Sequence, residues 1–386
     1  MSQLVWLRND LRISDNSALH AARQRGSTVC VFLIDTAQWQ SHNMSPWRMA
    51  LTLRNVDCVS QQLALLGIKL IIRTCNTFAE APELIVKCAQ EIGASCVSFN
   101  AEIALNEQRR DARVEAALAN SGIACECHQN FTHIPPGAVT KPDGSGYTVF
   151  TPFKKRWLAH PLAEPSAPLP PPDAQGPPVP ASSAPDQTGG IKKTFGANFW
   201  GAGEIAAQQS LAEFLRCRAE HYNQIRDLPD QPGTSRLSAH LAIGTISVSQ
   251  CLYAAYKANK QRLTGGNEGI DTWISELIWR EFYNHILAAN PRLSRGEPFR
   301  QETEQLRWND NDEWLDRWKS GETGFPLVDA GMKQLNATGW MHNRLRMVTS
   351  QFLAKHLFIN WRQGERYFMR NLVDGDFASN NGGWQW

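Results

Sequence analysis

Ten of the chain's 21 prolines fall within residues 160–190, HPLAEPSAPLPPPDAQGPPVPASSAPDQTGG. Each proline fixes φ and removes a backbone donor, so this stretch predicts neither helix nor central strand. It reads as an extended linker, semi-rigid where the prolines run together. The linker divides 386 residues into two parts, and a chain of that length exceeds what one small core organises.

The two parts differ in pattern. Up to about residue 130, LVWL, VCVFLID, KLIIRT, CVSFNAEI and IACECH read as strands, while residues 47–66, 81–92 and 106–119 have helical apolar spacing. That alternation predicts an α/β domain, a doubly wound parallel sheet with helices on both faces. No Gly-x-Gly-x-x-Gly follows the first strand, so the usual dinucleotide reading has no support. Beyond residue 201 helical patterns dominate, and ten of the 14 tryptophans lie at or after Trp200. The expected division is an α/β domain over 1–130, a connector over 131–200 carrying the linker, and a mainly α-helical domain over 201–386.

The net charge of +2 argues against a protein coated in positive charge for binding any nucleic acid, and leaves a local basic patch open. No apolar run reaches the length of a membrane span, and MSQLVWLRNDLR puts charges directly after a short strand, unlike a signal peptide. The expected compartment is the cytoplasm. The nine cysteines are scattered without a Cys-x-x-Cys pair. The nearest cluster, Cys125, Cys127 and His128, reads as reduced strand residues, so no metal site is expected.

Four stretches carry more than packing. In DTWISELIWREFYNHI, Ile274, Leu277, Ile278 and Phe282 form a core stripe, while Trp273, Glu276, Arg280 and Tyr283, with Trp279 beside them, form a second face. Glu276 then either pairs with Arg280 at i,i+4 or is the acid of an aromatic-lined pocket. In GWMHNRLRMVTSQFL, Leu345, Val348 and Phe352 suit a core, whereas Asn343, Met347 and Ser350 share another side that fits a flat heteroaromatic ligand or a mixed surface. In GTSRLSAHLAIGTIS, Thr234, Ser235, Arg236 and Ser238 precede a helical run, as a capping box or an anion site. The pair Asp374 and Asp376 in DGD is an Asx turn or a holder of nucleotide hydroxyls.

Together with LVWLRNDLRISDN, HNMSP, FTPFKKRW, TGFPLVDAGMKQLNATGWMHNRLRM and the closing DGDFASNNGGWQW, these stretches resemble the photolyase and cryptochrome family, most closely bacterial class I cyclobutane pyrimidine dimer photolyases. The resemblance implies an α/β domain followed by a helical FAD-binding domain. It assigns FAD contacts to Tyr222, Thr234, Ser235, Arg236, Leu237, Ser238, Trp273, Arg280, Asn343, Arg346, Asp374, Gly375, Asp376 and Asn380, with Arg346 paired to Asp374. Asn380 stands where repair enzymes keep asparagine and plant cryptochromes typically aspartate. The implied reaction is light-driven electron transfer from reduced FAD to a pyrimidine dimer flipped out of DNA, ring opening, and return of the electron; photolyases are a named example of base flipping.

By the same resemblance, Glu276 hydrogen-bonds the dimer, Trp279 and Trp386 sandwich it, and Asn343 and Met347 complete the wall. Trp308, Trp361 and Trp384 match the family's electron-hopping chain, with Trp384 nearest the flavin; the bland alternative is three core tryptophans. Arg226 and Arg344 join Glu276 and Trp279 on the DNA side as phosphate contacts. His42, Asn43, Asn106 and Glu107 resemble the site of a 5,10-methenyltetrahydrofolate antenna, with a deazaflavin or an empty site as alternatives. A monomer acting on damaged DNA is implied. Family members continue past NGGWQW into further helices, so the resemblance suggests a truncated chain with exposed apolar surface. The competing readings are a cryptochrome-like blue-light receptor, an inactive photolyase fragment, and a non-flavin adenine-nucleotide binder.

Overall fold

The computed structural model describes residues 2–385; Trp386, assigned above to the dimer sandwich, lies outside the described residues. Strands β1 (Ser2–Leu7), β2 (Ser27–Asp35), β3 (Leu70–Cys75), β4 (Ala94–Asn100) and β5 (Ala124–His128) form one parallel sheet in the order β3-β2-β1-β4-β5. Side chains alternate along β1, so Val5 and Leu7 enter the core beneath α1 (Ser17–Arg25) and α3 (Pro46–Leu65). Leu4 and Trp6 enter the opposite core, beneath α4 (Ala81–Glu91) and α5 (Leu105–Asn120). Burial on both faces is why the inner strands β1, β2 and β4 read as continuous apolar runs. The periodicity overlooked α1 and the short α2 (Thr36–Ser41), and β4 ends at Asn100 rather than running on through NAEI. There the Asn100 amide donates to Asp10 Oδ2 at 2.6 Å and Asn16 Oδ1 at 2.9 Å, fixing a turn.

The proline segment carries no helix and only the two-residue strand Gln187–Thr188, and it is docked on the α/β domain as a strap. Gln175 accepts from the Thr28 amide at 2.8 Å and donates to the carbonyls of Thr28 and Gly67 at 2.9 and 2.8 Å. Val179 N donates to Ala64 O at 3.0 Å, and Ser182 Oγ to Leu70 O at 2.6 Å. Proline leaves few amides needing partners, and these remaining groups find theirs on the α/β domain. Before the strap stands α6 (Phe150–Leu158).

After it come α7 (Glu204–Cys217), α8 (Tyr222–Ile225), α9 (Ser238–Ile243), α10 (Val248–Ala258), α11 (Glu268–Ala289), α12 (Asp312–Ser320), α13 (Pro326–Thr338), α14 (Asn343–Gln351), α15 (Trp361–Asn371) and α16 (Phe377–Gln385). The 22-residue α11 is central: Ile274, Leu277, Ile278 and Phe282 are all buried, as their spacing predicts. The glycines of NGGW have a packing reason. A Cβ on Gly382 would stand 2.2 Å from Cδ1 of Tyr283, so only glycine lets α16 settle onto α11.

The segment RNDLR joins the domains. Leu11 N donates to Ile243 O at 3.5 Å, and Arg12 Nη1 donates to Gly244 O at 2.9 Å. Gly244 ends α9 at φ +76°, and a Cβ there would meet Asn9 O at 1.9 Å. Both the left-handed backbone and the close approach demand glycine. Gly244→Ala is expected to destabilise the protein by about 2 kcal/mol or more in urea unfolding; a midpoint equal to wild type would contradict this packing.

Candidate functional site

Glu276 does not pair with Arg280. Its Oε1 accepts from Arg226 Nη1 at 2.6 Å, with the two side chains 28% and 18% exposed, so the pair borders solvent. Arg280 turns to the connector, donating to Phe131 O at 3.1 Å with its guanidinium 4.8 Å from the Phe131 ring. Arg226 also approaches Asp227 at 3.4 Å, and Asp227 accepts from Arg344 Nε at 2.7 Å. Arg344 Nη1 lies 3.3 Å from Met347 Sδ. A continuous chain thus unites Glu276, Arg226, Arg344 and Met347 across three helical elements. Hydrogen bonding from Arg344 holds the Asp227 carboxyl below its ordinary range. Asp227 was not foreseen; a lone acid after an arginine carries no sequence signal. Asn343 and Met347 are exposed on α14, and Trp279, one turn beyond Glu276 on α11, is half-buried.

Two residues from Arg344, and so on the opposite side of α14, Arg346 Nη2 donates to both oxygens of Asp374 at 3.0 and 2.8 Å. Asp374 is buried, while Asp376 caps α16 by accepting from Ser379 N at 2.8 Å. The turn reading therefore suffices for one acid of DGD and not for the other. Gly375 O accepts from Arg48, and Asn380 Nδ2 donates to Glu365 O at 3.1 Å. The helix cap of α9 is Leu237, without a side-chain bond, so no capping box uses the hydroxyls of Thr234 and Ser238; Ser235 Oγ accepts only the Leu237 amide at 3.4 Å. Arg236 sits at φ +53° with its guanidinium 4.7 Å from the Trp340 ring. Tyr222 and Trp273 are buried against Phe214, at centroid distances of 5.7 and 5.0 Å.

These groups fit FAD. Uncommitted hydroxyls beside a helix start suit phosphate and ribose, and a buried carboxylate with its guanidinium suits the edge of a flavin ring. Trp384 Nε1, moreover, is a buried donor without a protein partner. Trp361 and Trp384 belong to one buried cluster, with Trp308 packed at its edge. Trp384 lies edge-on to Phe368 at 5.0 Å and to Trp318 at 6.1 Å, and Trp308 tilts against Phe358 at 5.0 Å.

A cavity of about 370 Å³ at the domain junction takes in His42, Asn43, Asn106 and Glu107 together with Gly375 and Asp376. His42 Nε2 is 3.1 Å from Asn106 Nδ2, and His42 Nδ1 is 3.4 Å from Glu107 Oε1. Asn43 Oδ1 accepts from Arg370 Nε at 2.8 Å. The deeper wall went unrecognised in the sequence: Arg110 donates to Glu102 at 2.6 Å and Asp111 at 2.8 Å, and its guanidinium lies 4.7 Å from the Trp6 ring. Burial alone would raise the Glu102 carboxyl, yet Arg110 and Arg8 hold it down to about 2. Asp35 has no such pair, and burial pushes it up to about 7, with Arg110 opposing only in part.

Because folding raises the Asp35 pKa, the folded state holds more protons between the ordinary value near 4 and 7, and Asp35 removes stability as pH rises through that window. Asp35→Asn is expected to raise Tm at pH 8, with the gain shrinking toward pH 4. A gain independent of pH would contradict the assignment.

Residues 3–173 match the DNA photolyase family, and residues 273–386 match the FAD binding domain of DNA photolyase. The chain is 41% identical to deoxyribodipyrimidine photo-lyase of Escherichia coli over 100% of its own length and 81% of that protein's. A bacterial class III photolyase from Agrobacterium tumefaciens superposes with a TM-score of 0.86 at 31% identity, covering 100% of this chain and 79% of that one. A Synechocystis cryptochrome gives a TM-score of 0.85 at 26% identity over 99% of this chain and 81% of that one. By these matches and by its site, the chain belongs to the DNA photolyase family.

Proposed function

We propose that this protein is a deoxyribodipyrimidine photo-lyase that uses light and FAD to split cyclobutane pyrimidine dimers in DNA. The observation that carries the reading is the disposition of α14, with Arg344 in the chain that ends on Glu276 and Arg346 on the far side holding Asp374. A site for damaged DNA and a site for a flavin thereby stand one helix apart. Reduced FAD, when bound, supplies on excitation the electron that opens the cyclobutane ring, and recovers it afterwards.

The remaining roles belong to the chain's own side chains. Thr234, Ser235, Arg236 and Ser238 would hold the phosphates, Asp374 and Asp376 the polar edges, and Asn380 the flavin ring, with Tyr222, Leu237, Trp273, Arg280 and Asn343 around them. Arg226 and Arg344 attract the DNA backbone, so affinity falls with salt. Trp279 stacks a flipped base, and Asn343 and Met347 supply a polar and a soft contact beside it. Glu276 accepts the imide N–H of a pyrimidine, and its Arg226 partner offsets the negative charge that the dimer acquires only after electron transfer. Trp308, Trp361 and Trp384 pass electrons inward to regenerate the reduced cofactor.

The cavity at the junction fits a methenyltetrahydrofolate antenna beside His42, Asn43, Asn106 and Glu107. The reading takes the protein as a cytoplasmic monomer; nine free cysteines suit a reducing compartment. Among the described residues no helix is long and apolar enough to cross a membrane.

Glu276→Ala should lower the repair yield about fivefold, the worth of one hydrogen bond near 1 kcal/mol, while FAD stays bound. Unchanged yield would remove Glu276 from the mechanism. Trp308→Phe should slow light-driven reduction of oxidised flavin yet leave repair by chemically reduced protein intact, whereas undiminished photoreduction would favour three structural tryptophans.

A further inference from the structure

The connector was expected to join two functional domains, yet α6 lies on α11 beside Glu276. Its first residue, Phe150, stacks on Trp279 with ring centroids 3.6 Å apart and planes 8° from parallel. Phe282 and Tyr283 meet the same indole obliquely, at 5.7 Å and 78° and at 5.7 Å and 30°. Phe150 is itself wedged edge-on to Phe282 at 5.8 Å. One turn along α6, Phe153 is fully buried against Phe282 at 5.2 Å and His285 at 5.1 Å. Lys154 donates to Ser275 Oγ, next to Glu276. Packing, stacking and a hydrogen bond thus hold α6 along α11 at three successive places.

We propose that Phe150 is a positioning residue for lesion recognition: it fixes the plane of the Trp279 indole, against which a flipped pyrimidine dimer stacks. This rests on the placement of Trp279 in the damage site proposed above. An indole on a half-buried helix face has rotamers to choose among, and binding a flat ligand in one of them costs the entropy of the others. A parallel phenyl ring at contact distance removes that freedom before DNA arrives. It also covers one broad face of the indole. The discrimination between damaged and undamaged DNA is therefore set partly by α6, a helix that precedes the proline strap and packs on α11.

The test measures dark binding of FAD-loaded protein to a duplex carrying one thymine cyclobutane dimer and to the same duplex undamaged. Phe150→Leu keeps the site filled with apolar volume but removes the stack. It should weaken binding of the damaged duplex about fivefold, the worth of one aromatic pair, and leave the undamaged duplex and the FAD content unchanged. Phe150→Tyr should restore wild-type discrimination. Added to Trp279→Leu, Phe150→Leu should cause no further loss, because it acts through the indole. Equal losses for both duplexes, or additive losses in the double variant, would assign Phe150 a merely structural role and overturn the proposal. If Trp279→Leu alone left discrimination intact, the placement of Trp279 in the damage site would fail and the proposal with it. If Trp279→Leu weakened damaged-duplex binding but Phe150→Leu did not, only the role of Phe150 would fall.

Discussion

Arg12 is a cation with almost no access to water, and the architecture converges on satisfying it. Its guanidinium donates to Asp15 O at 3.2 and 2.9 Å, to Gly244 O at 2.9 Å, and to Asn130. Those three partners lie in the turn before α1, at the end of α9 and just beyond β5. Burial lowers the Arg12 pKa, and Asp10, Asp15 and Glu204 oppose that. A buried charge that loses partners is costly, so the three segments are held together or the cation is stranded. Asp15 extends the junction: its carboxylate accepts from Ser247 Oγ of the helical domain, and its amide donates to Leu169 O of the proline strap at 2.8 Å.

A second, half-buried guanidinium carries this constraint into the site. Arg48 of α3 donates to Ala242 O of α9 at 3.0 Å, to Asn9 Oδ1 at 3.1 Å, and to Gly375 O between the two acids of DGD. Ser45, which caps α3, donates to Leu372 O at 2.6 Å. The helix start with its hydroxyls and the DGD turn are thus both referred to one helix of the α/β domain. The two segments assigned to FAD are far apart in sequence, and this junction ties both to α3. The same helix borders the junction cavity through Arg48 and Thr52.

How much of this was legible in the sequence follows from the range of each interaction. The inner strands were plain because burial on both faces writes continuous apolar runs, and the core stripe of α11 was plain because 3.6-residue spacing is local. The Arg346–Asp374 pair came through resemblance, and the structure forms it. Partner choice was not legible. Glu276 had Arg280 one turn away, but the backbone carries Arg226 to it from 50 residues upstream. Nothing in the sequence paired Arg110 with Glu102, yet both are buried because each neutralises the other. The proline segment gave its irregularity correctly and hid its docking, since the groups that receive it lie on other elements. Nothing local marked Phe150 as more than a core aromatic; its stack on Trp279 depends on how α6 crosses α11.

The central claim is that these sites together make a light-driven enzyme acting on pyrimidine dimers. The most direct measurement takes the FAD-loaded, reduced protein with an oligonucleotide holding one thymine cyclobutane dimer and counts restored thymines after blue light against a dark control. The account predicts restoration in the light alone. Reduced, flavin-loaded protein that leaves the dimer intact under illumination would contradict it and favour a light receptor built on the same fold.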